Sequence, residues 1–484
     1  MARNKHDLSN YRLLTGNMGY LYPIGLAEIL PLDTVRHSAS VFLRFSPMAA
    51  PVMHPITVRV HHFFVPHRLV WPQSENGGWE EFITSGPDGD NSETIPTITI
   101  ANVAQGSLGD YLGLRTGVAA TVSALPIRGF NLIFNEWFRD EDLVTERALT
   151  DTTIPQIAWE KDYFTTARPW PQKGPAITLP LGGTAPVVPA GNATPDWHDP
   201  GAASLRHLEN ASGANAQWSG TGSIGAMTWV DPKLEADLSQ ATGPDIIQFR
   251  EALALQRYAE ARARYGSRYV EYLKYLGARP ADARLQLPEL LAGGRARVNV
   301  SEVLQTANEA ASDRFGVGDL YGHGVAATRS NAYVRTFQEH GYLFSMMSVR
   351  PKAVYTDGVH RTWLRRNRDE FWQKELEFVG QQEVWEGEVF ATGAGDYQTF
   401  GYSDRYAEYR TVPSGVSGEF RTTLDYWHLG RIFASGPALN ADFVNCDPSL
   451  RIFNVQNQDT LWCAVQHQLV ARRLVSRDAR PRVL

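Results

Sequence analysis

The sequence predicts a mainly β fold, a sandwich of antiparallel strands interrupted by long, partly helical insertions. Three observations point to it. Strand-like runs fall into a front group and a rear group with a long interval between them. Two helical periodicities occupy that interval, and strand and helix never alternate at the even spacing a parallel α/β sheet requires.

The front group consists of runs rich in β-branched and aromatic residues at 35–46 (VRHSASVFLRFS) and 56–65 (ITVRVHHFFV). In the second run Ile56, Val58 and Val60 alternate with Thr57, Arg59 and His61, the pattern of a strand with one buried face. The rear group is 296–304, 342–355, 383–391, 418–424 and 461–475. The front strands lack partners nearby, so they are expected to pair with strands from the last third of the chain, at high contact order.

Between the groups, Phe130, Ile133, Phe134 and Trp137 fall at i, i+3, i+4 and i+7 behind Pro126, which predicts an amphipathic helix over 126–139. Phe130, Phe134 and Trp137 are its expected packing residues. A large insertion follows over 176–280. Its first part, 181–244, is rich in Gly, Ala, Pro, Asn and Ser and reads as an irregular exposed excursion, pinned where Trp197, Trp218 and Trp229 find apolar surface. Its second part, 245–277, reads as helical. Ile246, Phe249 and Leu253 form one core-facing stripe and Tyr269, Leu273 and Leu276 another, ending at a left-handed cap on Gly277.

Length narrows the β class. Eight strands of roughly 6 to 8 residues use on the order of 100 to 150 residues, so a jelly roll in a single unit of 484 residues leaves most of the chain in insertions. No apolar run approaches the roughly 20 residues of a membrane span, and the start MARNKHDLSNYRLL lacks a signal-like apolar stretch, so a cytoplasmic origin without membrane insertion is expected. Cys446 and Cys463 lie in separate strand-like segments and read as buried small apolar residues.

With 46 basic and 52 acidic residues the net charge is -6, which excludes a broad nucleic-acid-coating surface. Only seven of the basic residues are lysines, and 11% of the chain is aromatic. Arginine and aromatic richness with few lysines suits a protein with extensive partner contacts, although a GC-rich genome would also write Arg for Lys. The densest positive stretch is a basic arm over 470–484, where Arg472, Arg473, Arg477, Arg480 and Arg482 face a single Asp478. It reads either as a solvated tail or as an arm laid against phosphates.

Catalytic patterns are missing. There is no GxxxxGK[ST] and no HExxH. His61 and His62 are adjacent and in a strand point to opposite faces, so they do not share a metal. Asp88 and Asp90 in SGPDGDNSE lack the glycine and glutamate spacing of a calcium loop and read as a turn. Glu375, Glu377, Glu383, Glu386 and Glu388 supply carboxylates, and a β-sandwich glycan-binding or glycoside-hydrolysing protein is the alternative they keep open. Neither a cofactor nor a metal is expected.

Several segments resemble the major capsid proteins of the Microviridae, in the gokushovirus-like branch: LLTGNMGYLYPIGLAEILPLDT (13–34), LPIRGFNLIFNEWFRDEDL (125–143), KDYFTTARPWPQKGP (161–175), GSRYVEYL (266–273), ADARLQLPELLAGG (281–294), FQEHGYLFSMMSVRPK (337–352) and FGYSDRYAEYR (400–410). They run through most of the chain in the family's order, with departures at Ala167, Arg168 and Leu287. The resemblance implies an eight-stranded jelly roll that is not an enzyme, and pentamers building a T = 1 icosahedral virion shell around a circular single-stranded DNA genome. It also implies assembly in the host cytoplasm with other virion proteins. The insertion after PWPQKGP becomes an outward protrusion toward a host receptor, and Trp170 joins the packing or subunit-interface residues.

Overall fold

Runs in which every second residue is apolar each leave one face dry, and two sheets built from such runs bury those faces against one another. The computed structural model describes residues 3–85, 94–177, seven short segments between 187 and 237, then 246–266, 268–279, 281–306, 318–393 and 396–477. The chain divides into two compact units, Met1–Lys173 with Glu260–Leu484, and Gly174–Ala259.

In chain order the first strands are β1 (Asn4–Asp7), β2 (Asn10–Gly16), β3 (Leu21–Ile29), β4 (Thr34–Phe45), β5 (Ile56–Pro66), β6 (Thr97–Ile100) and β7 (Ala120–Ser123). The smaller unit holds β8 (Val187–Pro189), β9 (Asp196–His198), β10 (Leu205–Arg206), β11 (Leu208–Asn210), β12 (Ala216–Trp218), β13 (Thr228–Asp231) and β14 (Leu234–Ala236). The rear group is β15 (Glu289–Arg297), β16 (Asn299–Leu304), β17 (Leu320–Arg329), β18 (Tyr333–Thr336), β19 (Gly341–Pro351), β20 (Gln381–Trp385), β21 (Thr399–Asp404) and β22 (Leu461–Arg473).

Two antiparallel sheets organise the larger unit. One runs β1-β22-β4-β17-β16, with β18 also pairing β4 and β2 pairing β22; the other runs β15-β5-β19-β3. The front strands thus pair with rear ones, β4 with β22 and β5 with β19 along nearly their whole lengths. Between the sheets lie Ile24, Val41, Leu43, Phe45, Val58, Val60, Met347, Val349, Cys463 and Val465. A second core covers the other face of the four-stranded sheet. There Phe63, Val65, Phe344 and Met346 pack with Leu125, Phe130, Ile133 and Phe134. The contact is tight: a Cβ added at Gly129 would stand 2.9 Å from Phe344 Cε2. The four-stranded sheet is therefore dry on both faces where these cores cover it, whereas among the described residues the seven-stranded sheet leaves much of one face to solvent.

Several sequence expectations need correction. The run 296–304 is two strands, because the chain leaves one sheet for the other at Val298, whose N–H donates to Ile56 O at 2.9 Å. The run 383–391 stops at Trp385, where Glu388 reaches back to accept the Trp385 N–H at 3.0 Å and opens the short helix Glu386–Val389. The run 418–424 is not a strand. Gly418 takes φ +68°, and a 3₁₀ turn follows over Gly418–Arg421.

The helix over 126–139 is an α-helix only over Leu125–Ile133, continued by a π turn over Phe134–Phe138. The wider i→i+5 turn advances each residue by less than the 100° of an α-helix, so Trp137 slips off the buried stripe. Its ring is 37% exposed, while Phe130 is fully buried. In the region 245–277 the helices are Ile246–Tyr265 and Tyr269–Tyr275, and Gly277 has φ +86°, as its expected cap requires. The core-facing stripes are not core: Ile246, Phe249, Leu253, Tyr269 and Leu276 are exposed and Leu273 is half-buried, while Ala259 and Ala263 are the buried residues of the longer helix. Small residues allow the closest backbone approach, and a stripe count weighted by side-chain size overlooks them. The stretch 181–244 is not wholly irregular, since β8 to β14 form three small sheets, β10-β9-β13, β11-β12 and β14-β8.

Candidate functional site

The solvent face of the seven-stranded sheet is the candidate site. On β4, Val35, Ala39, Val41, Leu43 and Phe45 point inward, leaving Arg36, Ser40, Phe42 and Arg44 outward; on β22, Trp462, Gln466, Gln468 and Arg472 point outward in the same way. Register then lines these residues up across the strands. One row reads Thr15–Trp462–Arg44–Val325, the next Leu13–Ala464–Phe42–Ala327, and the next Tyr11–Gln466–Ser40–Arg329. Two more follow, Asp7–Val470–Arg36–Val334 and Lys5–Arg472–Thr34–Thr336.

Neighbours in a row have Cβ atoms about 4.5 to 5.5 Å apart, so aromatic and guanidinium groups interleave over the face. Lys5, Arg36, Arg44, Arg329 and Arg472 stand against one carboxylate in these rows, Asp7, in a chain whose total charge is -6. Arg329 Nη2 donates to Gln468 Oε1 at 2.8 Å, which holds that guanidinium across the strands. At one end the face dips into a cleft of about 550 Å³ lined by Leu13, Phe42, Arg44, Trp462 and, from outside the sheet, Asp110 and Tyr111. Tyr11, Leu13, Phe42 and Trp462 are all exposed. Exposed aromatic rings offer stacking surfaces to unpaired bases and the arginines offer charge to phosphates, the combination single-stranded nucleic-acid sites use.

The five arginines expected to form one arm do not share one environment. Arg472 and Arg473 are the last residues of β22, not part of a tail. Arg472 faces out. Arg473 turns the other way, donating from Nη2 to Asp33 Oδ2 at 2.7 Å and Glu28 O at 3.1 Å, and so neutralises a carboxylate with 0% exposure. Arg477 is exposed beyond the strand, and Arg480 and Arg482 lie outside the described residues. Sequence reading missed Arg36, Phe42, Arg44, Arg329 and Trp462. For Arg36, Phe42 and Arg44 the signal was the outward phase of VRHSASVFLRF, the same alternation used for 56–65.

Of the expected packing residues, Phe130 and Phe134 are buried in the second core. Trp137 rests on Phe63 with ring centres 5.5 Å apart and donates its Nε1–H to Pro288 O at 3.0 Å. Trp170 is half-buried beneath the Lys173 ammonium at 5.1 Å. In the smaller unit Trp197 is half-buried and sits opposite Trp229 in the β9–β13 pair, and Trp218 sits opposite Leu208. Asp88 and Asp90 lie outside the described residues.

Carboxylates at 375–388 do not assemble into a catalytic pair. Glu388 is buried and saturated: it accepts from Arg361 Nη1 at 2.9 Å, Trp385 N–H at 3.0 Å and Tyr163 O–H at 3.1 Å. Burial pushes its carboxyl up from the usual range, and Arg361 pulls it back. Glu375, Glu377 and Glu383 are exposed and Glu386 is half-buried. Cys446 and Cys463 are buried free thiols, each pushed up to about 12 by desolvation, and they are inert as nucleophiles.

Comparison with known proteins is consistent along the chain. The family described as capsid protein (F protein) matches residues 1–478. The chain is 35% identical to capsid protein VP1 of Bdellovibrio phage phiMH2K, over 88% of this chain and 84% of that protein. It is 30% identical to capsid protein VP1 of Spiroplasma virus 4, over 92% and 88%. Against capsid protein VP1 of Chlamydia phage 1 the identity is 29%, over 96% and 92%.

Proposed function

Starting from a chain that belongs to the capsid protein (F protein) family and is a structural capsid protein of the virion, we propose that it closes a T = 1 icosahedral shell around a circular single-stranded DNA genome. Pentamers are the building unit, formed in the host cytoplasm together with other virion proteins. The strand order supports a jelly roll for this role: β2-β22-β4-β17 in one sheet and β3-β19-β5-β15 in the other is the order two interleaved Greek keys give eight strands.

The observation that carries the genome contact is the open face of the seven-stranded sheet. On this reading it lines the shell interior, with Arg36, Arg44, Arg329 and Arg472 on phosphates and Phe42 and Trp462 under bases. The smaller unit, with Trp197, Trp218 and Trp229, is the outward protrusion that meets the host receptor. The test is particle formation by the purified chain with circular single-stranded DNA, followed by sizing and electron microscopy, and DNA affinity against salt. Closed particles are expected, with a log–log salt slope that falls by about 0.7 for each of the four arginines changed to Gln. An unchanged slope in the fourfold variant overturns the face as the genome contact, and an unassembled chain overturns the shell.

A further inference from the structure

We propose that Arg59, Arg295, Arg297 and Arg350 form a binding site for a phosphate dianion on the outer face of the four-stranded sheet. The open face of the seven-stranded sheet lies on the opposite side of the two packed sheets, so this site is separate from the proposed genome contact.

Strand register builds the site. Val58, Val60, Met347 and Val349 point between the sheets, so Thr57, Arg59, Ser348 and Arg350 point the other way. Pairing sets them in two adjacent rows, Arg295–Arg59–Ser348 and Arg297–Thr57–Arg350. At Phe63 and Phe344 this face packs against the helix Leu125–Ile133; at the two rows it carries guanidinium groups instead. Arg59, Ser348 and Arg350, with His61 and Glu160, line a cleft of about 440 Å³.

Four guanidiniums share one carboxylate there. Glu160 pairs with Arg59. Arg350 has no carboxylate partner among the described residues, and its one hydrogen bond runs from Nη1 to Ala158 O at 2.7 Å. Arg295 and Arg297 are exposed and have no ion pair among the described residues. Arg59 stands directly opposite Arg295, and like charges in that position destabilise a sheet. Burial, and then Arg59 and Arg350, push the neighbouring His61 imidazole down to about 4.

Charge on the edge strand β15 would by itself serve to keep sheets from pairing edge to edge. Arg59 and Arg350, however, are half-buried on the inner strands β5 and β19, where an uncompensated charge is unfavourable. A bound anion removes that penalty. Guanidinium forks pair with phosphate through two parallel hydrogen bonds, and a dianion with three free oxygens engages several forks at once, as a lone carboxylate does not.

The test is calorimetric titration of the purified full-length chain with inorganic phosphate at about pH 8, where the dianion dominates, and at constant ionic strength. Saturable binding in the millimolar range or tighter is expected, with acetate weaker by about tenfold or more. Arg295→Gln with Arg297→Gln, both at exposed positions, should weaken phosphate by about tenfold or more while melting stays within about 2 °C of wild type. Arg350→Lys keeps the charge, loses the fork and should also weaken binding; if it fails to fold, the edge variant still decides. Vesicles of phosphatidylcholine with phosphatidic acid separate the sources of the phosphate. Co-sedimentation that inorganic phosphate competes away supports a lipid headgroup, and phosphate binding without co-sedimentation supports a free anion. Equal affinity for acetate, no saturation by phosphate, or an unchanged affinity in the edge variant overturns the site. An edge variant that stops assembling, when the wild type binds no phosphate, also overturns it and assigns these arginines to carboxylates of a second copy.

Discussion

His62 lies between the two sheets with both ring nitrogens bonded, Nδ1 to Ser345 Oγ and Nε2 to Ser330 Oγ, each at 2.8 Å. Against it pack His37, whose Nε2 meets His467 Nδ1 at 3.1 Å and whose Nδ1 meets Tyr333 Oη at 3.1 Å. Burial disfavours the charged imidazole, holding His37 down near 3 and His62 near 2, and lowering His467, which also feels Arg12. The unfolded chain binds protons on these groups near pH 6.5 and the folded chain does not. Stability is therefore full above that pH and falls by about 1.4 kcal/mol per histidine per unit on going down toward the folded values. Melting temperature measured from pH 7 to pH 4 should drop steeply, and His62→Gln should flatten the dependence. At the end of β22, neighbouring arginines should behave in opposite ways. Arg473→Gln strands the buried Asp33 carboxylate and should cost about 3 to 5 kcal/mol in denaturant unfolding, whereas Arg472→Gln should leave stability within about 0.5 kcal/mol and weaken single-stranded DNA binding.

At the scale of elements, the π turn after Ile133 separates two residues that share one stripe in the sequence. Phe130 is surrounded by the second core, so Phe130→Ala should cost about 3 to 5 kcal/mol. Trp137 keeps part of its ring in water and is tied by one hydrogen bond to Pro288 O, so Trp137→Ala should cost less than half as much. Chemical denaturation of the two variants side by side checks the order, and a larger loss at Trp137 would contradict the placement. The strands 35–46, 56–65 and 461–475 were legible because each holds a stretch in which outward residues alternate with inward ones, although 37–39 and 62–66 are buried without a break. The segment 418–424 was not, because GEFRTTL has strand composition and only the positive φ of Gly418 turns it aside. The long helix Ile246–Tyr265 misled for a related reason, its large residues pointing out and its alanines in.

For the molecule as a whole, pairing distance governs folding. His37 and His467 touch across 430 residues of chain, and β4 finds β22 only after nearly everything between them has been made. Closing such separations before any contact repays the entropy is slow, and open strand edges aggregate meanwhile. Refolding by dilution from denaturant should proceed in seconds or longer, with a yield that falls as protein concentration rises. Millisecond, concentration-independent refolding would count against it. Exchanging most of 185–240 for a short Gly-Ser linker should spare the larger unit, because closure entropy grows only with the logarithm of length. Paired measurements of particle yield and host attachment on that variant separate a core role from a receptor-facing one.

Periodicity and chain punctuation determined, without any structure, the mainly β class, the β4, β5, β19 and β22 segments, a helix starting at Pro126, one residue from its observed first residue Leu125, the cap at Gly277 and the burial of both cysteines. Each reports local geometry, which a side chain and its near neighbours dictate. Tertiary structure alone decided which sheet face stays wet, and so that Arg36, Phe42, Arg44, Arg329, Trp462 and Arg472 form one surface while Arg473, one residue on, is consumed by Asp33. Alternation says that two faces differ; what covers each is set by surfaces hundreds of residues away, whose complementarity no local pattern records.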